Sequence, residues 1–190
     1  MDKVIFNLSV SVDGYLTGSH QTRQEPLGEN GEFLHEWAFN GGPENAAYMD
    51  GLVNSVGATI CGRKTYDDSL PFWSEKGPHP AGLPLFVITH RPLAASHSGG
   101  VYHSAGSMAE AIDRAKAAAG GKDVSVMGGG NIARQAIAAG LVDEIVLHMV
   151  PLLLGGGTRL FETLPAPIRL EPTSTTDTRL ARHVGYRVVG

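Results

Sequence analysis

Two short stretches carry residue types that can hold a negatively charged ligand on the main chain. Gly62-Arg63-Lys64-Thr65 follows an apolar run from Ala58 to Cys61, and Gly128-Gly129-Gly130-Asn131-Ile132 follows another from Val124 to Met127. In each, glycine permits a tight turn and close approach to the backbone. A helix starting there leaves N–H groups free at its positive dipole end, which suits phosphate. Two such turns at the same edge of one sheet suit the two halves of a pyrophosphate, and hence a dinucleotide. Arg63 and Lys64 add charge, and Thr65 adds a hydroxyl. A third apolar run from Leu85 ends in Thr89-His90-Arg91, with no carboxylate there to take a ribose 2'-hydroxyl. A phosphate on that hydroxyl would meet Arg91 and the Thr89 hydroxyl, so these residues favour NADPH over NADH. Gly128 to Ala133 also satisfies G-x-G-x-x-G/A, but a Rossmann turn follows the first strand of its domain and this one comes late. The ligand class survives and that fold does not.

The elements that must position these turns alternate. Val4 to Val12 reads as a first strand closed by the turn pair Asp13-Gly14, and the glycine-rich stretch 14–31 as a long loop of the kind that covers binding sites. A short helix is expected over Glu32 to Phe39 and a longer one over Glu44 to Val56, where Ala47, Met49, Leu52, Val53 and Val56 roughly follow helical spacing. A proline-rich loop with Phe72 and Trp73 covers Leu70 to Pro84. Ser107 and Glu110 form a capping box for an alanine-rich helix ending at Gly120-Gly121. Strands over Val124 to Met127 and Glu144 to Val150 bracket a helix from Asn131 to Ala139. The tail reads as two antiparallel strands, Ile168 to Thr176 and His183 to Val189. The expected class is α/β: one domain over residues 1–190, a mostly parallel sheet flanked by helices, with an antiparallel C-terminal edge.

Composition removes several function classes. Fifteen Lys and Arg against nineteen Asp and Glu give a net charge of −4, so no basic field exists for a nucleic acid or an anionic membrane. With 42% hydrophobic and 18% charged residues the chain can bury a core. The single cysteine, Cys61, allows neither an internal disulfide nor a cysteine-based zinc site, which fits the reducing cytoplasm. The longest apolar stretch, Ile145 to Leu154, carries His148 and Pro151 and falls short of the roughly 20 residues that span a bilayer. A protein without membrane or nucleic-acid partners is expected.

Five pieces in register extend the reading. Ser9-Val10-Ser11-Val12-Asp13-Gly14-Tyr15-Leu16, Gly62 to Tyr66, Thr89-His90-Arg91, Val126 to Gly130, and Val142-Asp143-Glu144 running to Gly155 resemble the dihydrofolate reductase-like fold. The resemblance is closer to the reductase-domain family of the bacterial bifunctional riboflavin-pathway deaminase-reductase. It implies a central mixed sheet with NADPH lying across the strand ends. By that resemblance Ser9 and Leu16 border the nicotinamide, and Arg63, Lys64 and Thr65 hold the phosphates and the adenosine side. Thr89, His90 and Arg91 meet the 2'-phosphate, and Gly128, Gly129, Gly130, Asn131 and Ile132 meet the pyrophosphate. Two places depart from the riboflavin-pathway pattern of Lys after the Asp-Gly pair and Glu before the late glycines: Tyr15 and Met127 stand there. Ala46 stands where dihydrofolate reductases carry a carboxylate, with Asp50 one turn on.

Hydride transfer to a small heteroaromatic or carbonyl- or imine-bearing molecule needs a dry pocket and a proton source. Trp37, Met49, Phe72 and Trp73 are the expected pocket walls, the last two also as contacts of a homodimer. Asp50, on a helix expected to face the ligand edge, is the first candidate for proton delivery, and Asp13 the second. The eight histidines show no metal-ligand spacing, so no metal is expected, and His148 and His183 read as structural. Two alternatives stay open: a module that binds the dinucleotide without turnover, and a flavin- or nucleotide-binding protein using the same turns.

Overall fold

The computed structural model describes residues 2–73, 75–94, 100–162, 164 and 166–189. Eight strands form one sheet: β1 (Val4–Ser11), β2 (Val56–Gly62), β3 (Leu85–Ile88), β4 (Tyr102–Ala105), β5 (Asp123–Met127), β6 (Glu144–Val150), β7 (Arg169–Asp177) and β8 (Arg182–Val189). Their order is β4-β3-β2-β5-β1-β6-β8-β7. The first six run parallel, and β8 and β7 close the edge in antiparallel fashion. Five helices connect them among the described residues: α1 (Glu36–Asn40), α2 (Gly42–Ser55), α3 (Arg63–Ser69), α4 (Met108–Ala118) and α5 (Gly130–Ala138). A 3-10 turn at Gly31–His35 leads into α1. The expected α/β class, mixed sheet and antiparallel edge are thus found.

The sheet reads off its residues. β2 lies in the parallel region and is buried from Gly57 onward, hence its unbroken run of small and apolar side chains. β7 is exposed along its whole length and tolerates Pro172, which an edge strand can hold beside a bulge. The Ser107 hydroxyl accepts the Glu110 N–H at 3.2 Å and starts α4, while the Glu110 carboxylate reaches back to the Gly106 N–H at 2.8 Å.

One face of the sheet is apolar. Val4, Phe6, Val10, Ala58, Ile60, Val124, Val126 and Ile145 form the main core with α4 and α5. The other face is mixed, with Asn7, Ser9, Thr59, Ser125 and His148 on adjacent strands. The 3-10 turn, α1 and α2 stand off from it and pack Leu34, Trp37, Tyr48, Met49 and Leu52 toward Val150 and Ala181. Between that polar face, α2, α3 and the 17–32 loop the fold leaves a large cavity.

Candidate functional site

Both glycine turns stand at the carboxyl ends of neighbouring strands, β2 and β5, where ligands bind in open α/β sheets. The turns touch. A methyl group added at Gly128, whose φ is +81°, would sit 2.6 Å from Thr65 Cγ2 and closer still to its Oγ1. One added at Gly62 would sit 2.7 Å from Ile132 Cγ1. Only glycine allows this approach, so each turn is shaped by the other's side chain. α3 starts after Gly62 and α5 after Gly129, and neither has a side-chain cap. Their first N–H groups are therefore available to a ligand.

The cavity holds about 1230 Å³, above the usual range for a small-molecule site and enough for a dinucleotide end plus a substrate. Ser9, Leu16, Trp37, Met49, Lys64, Thr65, Phe72, Trp73 and Gly128 to Gly130 all line it. Residues from five sequence regions thus come together. A second cavity of about 700 Å³ shares Gln21, Lys64 and Asp68 with the first. Four cations, Arg23, Arg63, Lys64 and Arg91, line it against two carboxylates, Asp67 and Asp68. Asp67 bridges two of them: it accepts Arg63 Nε at 2.8 Å and Arg91 Nη2 at 3.3 Å. Arg63 also donates to the Pro92 carbonyl at 2.9 Å, tying the loop after β3 to α3.

Other expected contacts lie behind the walls. Ile132 packs into the turn at Gly62, and the Asn131 side chain accepts from Gln135. Thr89 and His90 line neither cavity. The Thr89 hydroxyl instead accepts the Arg91 N–H at 3.0 Å and shapes the loop that presents Arg91.

Neither expected acid lines the cavity. Asp50 is exposed and outside the cavity lining, because α2 turns Met49, Leu52 and Val53 inward. Asp13 accepts the Ser11 hydroxyl at 2.6 Å, the Gly155 N–H at 2.7 Å and the Leu154 N–H at 3.2 Å. The Ser11 hydroxyl bond, followed by the two backbone N–H groups, holds its carboxyl below the ordinary value. It is an ionised clamp for the 151–157 loop, away from the cavity.

The aromatic wall has a more specific construction. Trp37 is buried and donates its Nε1–H to Ser9 Oγ at 2.9 Å. Its ring lies 4.3 Å from that of His148, and Tyr48 stacks on His183 at 3.8 Å and 14°. His148 and His183, opposite each other on β6 and β8, join their Nδ1 atoms at 2.8 Å. Burial pushes His148 down to about 3, with His183 and His35 adding to it. Asn7 and His148 both line the cavity. Sequence reasoning misses Asn7 and assigns the histidines to structure alone. The available signal is polar residues at period two in strands otherwise bound for the core.

Among the described residues no group of His, Cys, Asp and Glu is placed to hold a metal ion, and no helix is long and apolar enough to cross a membrane.

Solved structures share the fold, these two among them. A putative riboflavin biosynthesis protein from Shewanella sp. PV-4 superposes with a TM-score of 0.76 at 21% identity, covering 99% of both chains. A pyrimidine reductase-like protein from Corynebacterium diphtheriae superposes with a TM-score of 0.62 at 14% identity, over 100% of this chain and 92% of that one. No curated protein matches the sequence. The RibD C-terminal domain family matches residues 2–180. With the glycine turns, the sheet order and the cavity in place over that span, the chain belongs to the RibD C-terminal domain family, the reductase-like family of riboflavin biosynthesis.

Proposed function

We propose that the protein is an NADPH-dependent reductase that passes a hydride to a small heteroaromatic or carbonyl- or imine-bearing molecule. The observation that carries this reading is the meeting of the two glycine turns on one large cavity that opens beside a basic second one. The residues present fit a dinucleotide phosphate: glycine at 128 lets the two turns meet where a Cβ would collide with Thr65, and two helix starts have no side-chain cap. When bound, the nicotinamide supplies the hydride.

The chain's own residues bind, orient and exclude water. The N–H groups at Gly129 and Gly130, with Lys64 and Thr65, hold the pyrophosphate. Arg63 and Arg91 hold the 2'-phosphate, their charges only partly met by Asp67. Ser9 and Leu16 border the nicotinamide at the end of β1. Trp37, Met49, Phe72 and Trp73 wall the substrate space, Trp37 fixed by its bond to Ser9. Asp50 and Asp13 take no part. The same reading puts the protein in the cytoplasm as a homodimer, with Phe72, 71% exposed, at the shared face.

Thermal shift tests the reading. NADPH at 100 times its Kd should stabilise the fold by about 2.7 kcal/mol, or roughly 2 to 4 °C for each kcal/mol. Arg91→Ala should weaken NADPH at least about tenfold, since one charge-assisted contact is worth about 1.5 to 3 kcal/mol, and should leave NADH unchanged. A shift by FMN without one by NADPH ends the reductase reading, and equal losses for NADPH and NADH end the 2'-phosphate role.

A further inference from the structure

Asn7 sits in the middle of β1, on the polar face of the sheet, and lines the main cavity. Its Oδ1 bonds His148 Nε2. Behind it runs a buried chain of hydrogen bonds: His148 Nδ1 to His183 Nδ1 at 2.8 Å, His183 Nε2 to Thr178 Oγ1 at 3.0 Å, and Asn45 Nδ2 to Thr178 Oγ1 at 2.9 Å. With a carbonyl oxygen at its end, this chain has one polarity. His148 carries its proton on Nε2 and accepts at Nδ1; His183 then carries its proton on Nδ1 and accepts at Nε2 from the Thr178 hydroxyl; that hydroxyl accepts from Asn45. Each donor finds one acceptor, and both imidazoles are neutral. Trp37 and Tyr48 pack against the two rings and fix their planes.

The arrangement leaves two groups over, the buried Asn45 Oδ1 at its far end and one at the cavity. Asn7 Nδ2 has no acceptor among the described residues, although it belongs to a cavity wall. A hydrogen-bond donor held at a cavity wall, with the other half of its amide fixed, selects a ligand that brings an acceptor.

We propose that Asn7 donates its Nδ2–H to the reducible group of the substrate, a carbonyl oxygen or an imine-type nitrogen, and that His148 and His183 are positioning residues that fix its amide for this task. The inference rests on the reductase reading above and deepens it. As hydride adds to the carbon of such a group, the π electron pair moves to the oxygen or nitrogen, where the Asn7 donor meets the growing negative charge. The proton that completes the reduction then comes from solvent. The neutral histidine pair spends its own N–H groups on Asn7 and on itself, so it orients and does not supply that proton.

Two measurements on the whole protein, both without NADPH, test this apart from the cofactor. The first is histidine ¹⁵N NMR at pH 7. The expected result is an Nε2–H tautomer for His148 and an Nδ1–H tautomer for His183. The opposite pair of tautomers, with the Thr178 hydroxyl turned to the Ala181 carbonyl that also lies 3.0 Å away, means that Asn7 shows its oxygen to the cavity and overturns the proposal. The second is a titration of the tryptophan fluorescence with benzaldehyde and with styrene, which match in shape and differ in the acceptor. The wild type should prefer benzaldehyde by roughly three- to tenfold, the range of one neutral hydrogen bond. Asn7→Ala should bind styrene as the wild type does and lose the preference. His148→Leu should lose it too, and His148→Gln, which can donate to Asn7 and accept from His183, should restore it. A preference that survives Asn7→Ala, or His148→Leu and His148→Gln behaving alike, overturns the assignment. If these results hold while NADPH fails to bind, the reductase reading falls and the acceptor site stands.

Discussion

Lowering the pH from 7 to 5 should cost the fold about 2 kcal/mol through His148 alone, because each tenfold rise in proton activity adds about 1.4 kcal/mol in favour of the state that binds the extra proton. The ring is 2% exposed, and burial first, then His183 and His35, pushes its pKa from 6.5 to about 3. In the unfolded chain the ring takes a proton once the pH drops below 6.5, and in the fold it does not until about 3. The unfolded state therefore binds more protons across that window, and the contribution, complete above 6.5, is lost as the pH falls. Between 6.5 and 5 the proton activity rises about thirtyfold, hence the figure of about 2 kcal/mol. Burial also holds His35 down, and burial lowers His103 and His183, so these add with the same sign. Asp13, Glu110 and Asp177 are held below ordinary values of 3.8, 4.5 and 3.8, so their contributions fade at lower pH. Urea unfolding of the wild type and His148→Gln at pH 7, 6 and 5, followed by circular dichroism, isolates the one ring. The gap between the two proteins should narrow by about 2 kcal/mol between pH 7 and 5. Parallel stabilities over that range would show that His148 titrates normally in the fold, and would refute the buried neutral pair.

Gly128→Ala places a Cβ against Thr65 at a φ of +81° and should lower stability by about 1 to 3 kcal/mol and abolish stabilisation by NADPH; an unchanged melting temperature would mean that the turns do not meet. Cys61 is buried and its thiol is pushed up to about 12 by burial, so Ellman's reagent should label it only at the rate of unfolding. Labelling within seconds of the native protein at pH 8 would contradict that burial. Asp13→Ala should speed hydrogen exchange at the Leu154 and Gly155 amides, which lose their acceptor, without flattening any acid limb of turnover; unchanged exchange would count against the clamp.

What the sequence discloses about this protein follows the range over which each signal acts. Gly62 and Gly128 are legible because a strand, a glycine and a helix start are neighbours in the chain, and the Ser107–Glu110 cap is legible for the same reason. The outward position of Asp50 is also local information: Met49, Leu52 and Val53 define the inward stripe of α2, and Asp50 falls off it by one position, about 100° around the helix. Asp13 is ambiguous locally, because an acid before glycine serves a turn as readily as a reaction, and its actual partners, Leu154 and Gly155, are 141 and 142 residues away.

Asn7, His148 and His183 lie at the far end of that scale. Each alone is a polar interruption in a strand, and nothing local tells a solvent-facing one from a buried one. Sheet order decides it: β6 must pair with both β1 and β8, and the register must set Ser9 and His183 beside His148. A slip of one residue in either pairing would send the imidazoles into the apolar core on the opposite face. A polar row that depends on two non-local registers costs stability unless every member is paired. In that row the histidines are paired with each other, with Asn7 and with Thr178. Two groups of the row stay unpaired, the buried Asn45 Oδ1 and the Asn7 Nδ2 of the cavity wall, and only the second is placed where a ligand can pair it, which separates a binding wall from a core.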